Sequence, residues 1–206
     1  MNATPTDREI VDDLTFASDQ MADFARLRAR LAEEADRDGL LDVAYRTMDS
    51  PVGPLLLAAT PAGLVRVAFE RENHEDVLVE LSTTISPRIL RSPRGVDDVA
   101  RQLDEYFAGR RRIFEVPVDL QLSKGFRRAV LTHLREIPYG ETESYTVVAR
   151  AAGNPGAVRA AGSACATNPV PLVVPCHRVV RRDGTYGQYR GGPEAKHMLL
   201  TMEATP

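Results

Sequence analysis

The stretch Val173-Val174-Pro175-Cys176-His177-Arg178-Val179-Val180 places a cysteine beside a histidine, after a proline and between paired valines. An ordinary thiol has a pKa of about 8.5, so a reactive cysteine needs a base or a positive charge close to it. His177 and Arg178 are the nearest candidates. Because neighbouring side chains of a strand point to opposite faces, the Cys-His pair can act together only in a turn or short helix. Pro175, directly before the pair, favours the start of such a turn or helix.

The same stretch also fits a buried structural cysteine. Free cysteine often packs as a small hydrophobic residue, and four valines flank the pair. The dipeptide alone leaves both interpretations open. The only other cysteine is Cys165, and no secretory segment begins the chain, so we expect two free thiols in a cytoplasmic protein. No run of about 18 apolar residues is present, which predicts that the chain does not cross a membrane.

Charge is distributed unevenly along the chain. The chain has 206 residues, of which 43% are hydrophobic, and this is sufficient for one large domain or two small ones. Its net charge is -3. Residues 1–42 contain 11 acidic and 5 basic residues, whereas residues 123–206 contain 6 and 11. The basic part includes the Cys-His pair and suggests an anionic partner, although a surface charge that maintains solubility explains the same excess.

The first 122 residues contain patterns typical of a small α+β unit. Residues 1–18 predict a loose tail, and residues 19–37 predict a helix that ends at Gly39. Turn-forming sequences separate the next segments. The predicted elements are strands at 41–47, 54–60 and 63–69 in an antiparallel meander, a helix that starts near Asn73, a second helix ending before Gly109, and a strand at 113–120.

Helical patterns dominate the remainder of the chain. Ser123 is the predicted cap of one helix. Two short helices follow, separated by Gly153-Asn154-Pro155, and form a helix-turn-helix candidate. The second, residues 157–166, contains almost only small residues and Arg159. Such a slim surface suits close approach to a DNA minor groove, with Arg159 entering the duplex, but tight packing inside a core explains small residues equally well.

Several separated motifs together resemble the O6-alkylguanine-DNA alkyltransferases, also called methylated-DNA–protein-cysteine methyltransferases. The resemblance is continuous over about residues 123–204, and the unit around Ser50-Pro51-Val52-Gly53-Pro54 is similar to the family's smaller N-terminal domain. The motifs are Tyr145, Gly153-Asn154-Pro155, Arg159, Asn168-Pro169-Val170-Pro171, Val174-Pro175-Cys176-His177-Arg178-Val179, Gly187-Gln188-Tyr189-Arg190-Gly191-Gly192, Lys196, Leu199-Leu200 and Glu203.

The resemblance implies a role for each matching residue. Cys176 accepts an alkyl group from O6 of a damaged guanine and keeps it, His177 acts as the base through a water, and Glu203 orients His177. Tyr145 supplies a proton or hydrogen bond as guanine leaves. Arg159 fills the gap left by the flipped base. Asn168 ties the helix-turn-helix to the active-site turn.

The resemblance also implies the surroundings of the reacting groups. The helix containing Ala157 and Ala160 contacts DNA together with Tyr145 and Arg159. Pro171, Val179, Gly187, Tyr189 and Arg190 are the expected lining of the guanine pocket, and Arg190 stands where the family often has a smaller side chain. The N-terminal region contains no cysteine and only His74, so we expect no metal. Without a phosphate-binding loop or dinucleotide motif, we expect no cofactor.

The predicted fold is an α+β N-terminal unit, with a small antiparallel sheet and helices, followed by a mainly α C-terminal domain with a helix-turn-helix. Residues 1–40 form an acidic, partly helical extension, 41–120 the α+β domain, and 121–206 the DNA-binding and alkyl-acceptor domain. The predicted function is single-turnover repair of O6-alkylguanine, and of O4-alkylthymine, in double-stranded DNA by a monomer. A cysteine hydrolase that regenerates its thiol and a helix-turn-helix regulator without chemistry are the alternatives.

Overall fold

The computed structural model describes residues 23, 26–28, 30–35, 37–93 and 95–204. Helical residues lie between 23 and 37 (α1), in agreement with the predicted helix; its predicted first residues, 19–22, and the predicted tail at 1–18 lie outside the described residues. No helix in this described part is long and apolar enough to cross a bilayer.

The three predicted strands form the meander expected from the turn sequences. They are β1 (Val43–Met48), β2 (Leu55–Thr60) and β3 (Gly63–Phe69), with antiparallel pairing of β1 to β2 and of β2 to β3. Ser50 closes the first turn, since its hydroxyl donates to the Gly53 carbonyl at 2.5 Å and Gly53 adopts a φ of +89°.

The prediction of a purely antiparallel sheet is wrong. After helix α2 (His74–Thr84), strand β4 (Ile89–Arg91) pairs in parallel with β1, and the strand order is β3-β2-β1-β4. A three-residue strand is too short to show the alternation from which strands are predicted. The sheet is therefore mixed.

Both faces of the sheet are covered. Strand β2 alternates between two apolar clusters: Leu56 packs with Val77 and Leu81 of α2, whereas Leu55 and Leu57 face the cluster that continues into the C-terminal half. Helix α3 (Asp97–Phe107) contributes to this second cluster. The N-terminal sheet and the Cys-His region thus share one core.

The predicted strand at 113–120 is also wrong. This segment makes one isolated parallel bridge, between Val118 and Leu64, and the Leu64 amide donates to the Pro117 carbonyl at 2.9 Å. Proline has no amide hydrogen and limits further pairing. Farther along the same edge of β3, the Val67 amide donates to the Pro169 carbonyl at 2.8 Å, so this edge also holds the turn that follows Asn168.

The C-terminal half is mainly helical, as predicted. Helix α4 (Gly125–Leu134) begins after Lys124, and Ser123 does not cap it, because the Ser123 hydroxyl is buried without a partner in the described structure. The other elements are β5 (Glu143–Ser144), α5 (Tyr145–Ala151), α6 (Val158–Ala166), β6 (Val179–Val180), which pairs in parallel with β5, and α7 (Gly192–Glu203).

Candidate active site

The Cys-His pair lies in a tight turn, as its chemistry requires. Residues Cys176–Arg178 form one turn of 3-10 helix directly after Pro175, whose carbonyl accepts a hydrogen bond from the Arg178 amide at 3.0 Å. Only 2% of Cys176 is exposed. The turn therefore presents a sulfur atom that a substrate reaches only by entering the protein.

The Asn168 side chain holds the turn through hydrogen bonds. Its Nδ2 donates to the Val174 carbonyl at 2.8 Å and to Cys176 Sγ at 3.1 Å, while its Oδ1 accepts from the Val170 amide at 3.0 Å. The side chain is fully buried, and each of these bonds ties a different part of the 168–176 loop to the same amide. Asn168 thus fixes the position of the sulfur and supplies a hydrogen-bond donor to it.

The electrostatic surroundings of Cys176 keep the resting side chain a thiol. Burial raises the pKa of Cys176 to about 11, although the Asn168 hydrogen bond and the positive charges of Lys196 and Arg190 act in the opposite direction. Lys196 is itself buried, and its Nζ donates to the Val179 carbonyl at 2.6 Å. Reaction of this thiol therefore requires a nearby group that accepts its proton.

His177 is suited to accept that proton. It is fully buried, and its Nε2 lies 3.0 Å from Glu203 Oε1. Burial opposes ionisation of Glu203, but hydrogen bonds from His177 and Arg178 prevail and hold the pKa of this carboxyl well below its usual range. An ionised Glu203 accepts the Nε2 hydrogen, which leaves Nδ1, buried without a partner in the described structure, as the basic nitrogen.

Two further residues complete the surroundings of Glu203, and sequence reasoning assigned neither of them this role. The Arg178 guanidinium donates through Nε to Oε2 at 2.8 Å and through Nη2 to Oε1 at 2.9 Å, so its charge pairs with Glu203. Tyr106 of α3 donates to Oε1 at 2.6 Å. These partners are distant in sequence, and no local pattern relates them to the carboxylate.

Tyr145 stands at the first position of α5, where the Ser144 hydroxyl accepts a hydrogen bond from the Val147 amide. Burial raises the pKa of Tyr145 to about 12, so it keeps its proton at neutral pH. Gly187 lies so close that a Cβ atom added there would lie 2.0 Å from the Tyr145 hydroxyl oxygen. Only glycine leaves room for this hydroxyl.

Helix α6 has one buried face and one exposed face, both made mostly of small residues. Ala161, Ala164 and Cys165 are buried in the core, whereas Arg159 and Ala160 are exposed and Ala157 is half-buried just before the helix. Packing inside the core therefore explains the small residues of the inner face, and contact of the outer face with a DNA minor groove stays a prediction. The outer face offers a flat surface with one long cation.

The residues predicted for the pocket differ in their placement. Gly187 and Tyr189 line one open pocket of about 460 Å³, together with residues of the adjoining loop. Pro171 and Val179 are buried. Arg190 is turned toward the N-terminal sheet: its Nε lies 2.6 Å from Glu72 Oε2, and its Nη1 donates to the Asn168 carbonyl at 3.3 Å.

Two family models match most of the chain. The model described as 6-O-methylguanine DNA methyltransferase, ribonuclease-like domain, matches residues 43–120, and the model described as 6-O-methylguanine DNA methyltransferase, DNA binding domain, matches residues 125–205. A methylated-DNA–protein-cysteine methyltransferase of Mycolicibacterium paratuberculosis is 38% identical over 161 residues, which cover 78% of this chain and 92% of that protein. This chain belongs to the methylated-DNA–protein-cysteine methyltransferase family.

Other methylated-DNA–protein-cysteine methyltransferases show the same similarity. The constitutive protein of Bacillus subtilis is 35% identical over 160 residues, covering 77% of this chain and 94% of that protein. The crystal structure of Mycobacterium tuberculosis OGT in complex with DNA has a TM-score of 0.68 and 36% identity, and the match covers 79% of this chain and 93% of that one. The family resemblance is thus confirmed, as is the predicted order of a small α+β unit followed by a mainly helical domain.

Methylated-DNA–protein-cysteine methyltransferases transfer a methyl group from DNA to one of their own cysteines, and this chain is an enzyme of that class. The reaction is direct DNA repair, because the damaged base is restored without removal of a nucleotide. The chain contains two cysteines, and both are buried and free. Their surroundings determine which of them can be the acceptor.

Proposed function

We propose that Cys176 is the acceptor and that it takes one alkyl group from O6 of an alkylated guanine. The observation that carries the proposal is the grouping of a hydrogen-bond donor, Asn168, and a buried base-carboxylate pair, His177 and Glu203, around this one turn. Cys165 lies on the inner face of α6 instead, and burial holds the pKa of its thiol well above the ordinary value.

The transfer is a displacement at carbon. The Cys176 thiol gives its proton to His177 Nδ1 through a water, and the thiolate attacks the alkyl carbon. A carbon-sulfur bond forms while the carbon-O6 bond breaks, and the bonding electrons remain on guanine. Glu203 stabilises the His177 cation as it forms. The thioether product is stable, so each protein molecule reacts once.

The departing guanine needs a proton or a hydrogen bond to balance its negative charge. Tyr145 is the proposed donor, because its hydroxyl is protonated at neutral pH and lies against Gly187 at the wall of the open pocket. We assign Pro171, Val179, Tyr189 and Arg190 to the surroundings of the bound base. Arg190 lies at the Asn168 carbonyl, to which its Nη1 donates a hydrogen bond.

Base flipping follows from the burial of the sulfur. A Cys176 that is 2% exposed cannot touch an alkyl group inside a stacked duplex, so the guanine must leave the stack. In this proposal α5 and α6 form a helix-turn-helix that lays the half-buried Ala157 and the exposed Ala160 along the minor groove. Arg159, which is exposed beside them, enters the duplex in place of the flipped base.

The proposal also covers the substrates, the cellular location, the oligomeric state and the roles of the domains. Its substrates are O6-alkylguanine and O4-alkylthymine in double-stranded DNA, and the protein acts as a cytoplasmic monomer without a cofactor. Residues 121–206 hold the DNA-binding and acceptor functions, 41–120 form a supporting α+β domain, and 1–40 form an extension.

The test is a titration of duplex DNA containing one O6-methylguanine with limiting protein. We expect repair to stop at one base per protein molecule; continued turnover would indicate a hydrolase, and DNA binding without repair would indicate a regulator. Arg159→Ala should slow repair of duplex DNA by about tenfold or more but affect single-stranded DNA much less. Arg135→Ala, which removes an exposed charge at the end of α4, is the matched control and should react normally.

A further inference from the structure

The Tyr106 hydroxyl joins the N-terminal unit to the His177–Glu203 pair. Tyr106 lies in α3, is fully buried, and donates to Glu203 Oε1 at 2.6 Å. Burial first, and then the negative charge of Glu203, raise the pKa of Tyr106 far above its ordinary value. The phenol therefore stays protonated and acts as a permanent donor.

Glu203 Oε1 receives three donors: the Tyr106 hydroxyl, His177 Nε2 at 3.0 Å and Arg178 Nη2 at 2.9 Å. The other oxygen, Oε2, accepts from Arg178 Nε at 2.8 Å and from the Gly140 amide at 3.4 Å. Arg178 binds both carboxylate oxygens in a bidentate pair, which sets the plane of the carboxylate. The Tyr106 hydroxyl approaches from a separate element and fixes where Oε1 lies.

Tyr106 is itself held rigidly. Its ring packs against the rings of Phe114, with centroids 5.2 Å apart, and of Tyr139, at 6.2 Å. These contacts belong to the core cluster shared by the two halves of the chain. Rings from both halves of the chain therefore hold the Tyr106 side chain, which reaches from α3 of the N-terminal unit to Glu203 at the end of α7.

We propose that Tyr106 is a positioning residue for alkyl transfer, which holds Glu203 Oε1 in line with His177 Nε2. Its hydrogen bond to Oε1 also weakens the hydrogen bond that the same oxygen accepts from His177 Nε2. The inference rests on the proposed function of Cys176. It gives the N-terminal unit a part in the reaction itself, beyond supporting the fold. Tyr106 touches neither the substrate nor the sulfur in this role and acts only through Glu203.

This role of Tyr106 predicts that removal of its hydroxyl changes the pH dependence of the repair rate. Proton transfer needs neutral His177, so the repair rate falls at low pH as His177 takes up a proton. Burial opposes that protonation, Glu203 favours it, and the charges of Arg178 and Lys196 add to the opposition. Without the Tyr106 hydroxyl, Oε1 interacts more strongly with His177 Nε2. His177 then protonates more easily, and the acid limb of the rate profile moves to higher pH.

The experiment measures the single-turnover rate of repair against pH for the wild type, Tyr106→Phe and Tyr139→Phe. Tyr139 is a matched control, because it belongs to the same ring cluster and its hydroxyl also contacts the end of α7, at the Met202 carbonyl 3.4 Å away, but not the Glu203 carboxylate. We expect Tyr106→Phe to slow repair at neutral pH by about tenfold. The acid limb of the Tyr106→Phe profile should move to higher pH, and its DNA affinity should stay unchanged. Tyr139→Phe should match the wild type in rate and in pH profile.

Replacement of Tyr106 by 3-fluorotyrosine separates chemistry from folding. This residue keeps the hydroxyl and makes it a stronger donor, so the acid limb should move to lower pH. A wild-type rate and profile in Tyr106→Phe, or equal losses in Tyr106→Phe and Tyr139→Phe, would overturn the inference. If wild-type protein gains no alkyl group at Cys176, the proposed function fails instead.

Discussion

His177 Nε2 lies 3.0 Å from Glu203 Oε1, and both side chains are buried. Glu203→Gln keeps the size of the side chain but removes the charge that stabilises a protonated His177. We expect the single-turnover rate to fall by at least about tenfold. The free energy of unfolding should also fall, by about 3 kcal/mol, because Arg178 loses its carboxylate partner inside the protein. Repair kinetics well below the melting temperature and chemical denaturation measure the two effects separately. A normal rate in the folded variant would contradict the base role of His177.

The contact between Gly187 and Tyr145 predicts a steric effect on the reaction. In Gly187→Ala, the new Cβ would lie 2.0 Å from the Tyr145 hydroxyl oxygen, so this side chain must move. We expect slower repair, by about tenfold, with little change in DNA affinity. Gly162→Ala is the control: its Cβ would meet the Tyr145 ring at an ordinary 3.9 Å, and alanine stabilises a helix by up to about 1 kcal/mol relative to glycine. Equal rates in the two variants would contradict the assignment of Tyr145.

Two histidines should affect stability with opposite pH dependence. Burial lowers the pKa of His177, so the unfolded chain binds its proton more readily and stability from this residue is lost as pH falls below about 6.5. His133 is partly buried, but hydrogen bonds with Glu143 and Glu136 raise its pKa. Its contribution is present below about 6.5 and is lost as pH rises through the folded-state value.

Denaturation of His133→Gln and His177→Gln between pH 5 and 8, compared with the wild type, separates the two contributions. The His133→Gln variant should gain stability with rising pH more steeply than the wild type, and the His177→Gln variant less steeply. The same slope in both variants would show that the two side chains do not titrate as their surroundings indicate.

Asn168 should control the acidity of the acceptor thiol. Asn168→Asp replaces the donor that faces Sγ with a negative charge, which should raise the pKa of Cys176 above its wild-type value of about 11. Iodoacetamide modification against pH, in a Cys165→Ala background, measures that pKa. The variant should also lose stability, by about 1–3 kcal/mol, because the Val174 carbonyl loses its buried donor. An unchanged or lower thiol pKa would show that Asn168 positions the loop without acting on the sulfur.

Local patterns were sufficient to predict much of the fold. The turn-forming sequences Ser50-Pro51-Val52-Gly53 and Pro61-Ala62-Gly63 identified the three-strand meander, and Pro175 identified the turn at Cys176. The parallel strand at Ile89–Arg91 and the irregular segment at 113–120 were missed, because tertiary pairing to another strand decides both.

The family resemblance predicted the residues of the candidate site and the pairing of His177 with Glu203, but not the contacts of Arg178 and Tyr106 with Glu203. Arg178 was a candidate for activating Cys176, whereas the folded chain directs its guanidinium to Glu203. Tyr106 lies in the predicted helix that ends before Gly109, and its hydroxyl meets Glu203 because α3 and α7 converge in one core. Contacts between residues so far apart in sequence arise from tertiary packing, which periodicity does not encode.

The most direct measurement is the intact mass of the protein after incubation with duplex DNA containing one O6-methylguanine, followed by peptide mapping. The wild type and Cys165→Ala should each gain the mass of a single methyl group, on the peptide that contains Cys176, and Cys176→Ala should gain none. Methyl transfer to folded Cys176→Ala, or unmodified wild-type protein beside repaired DNA, would contradict the account.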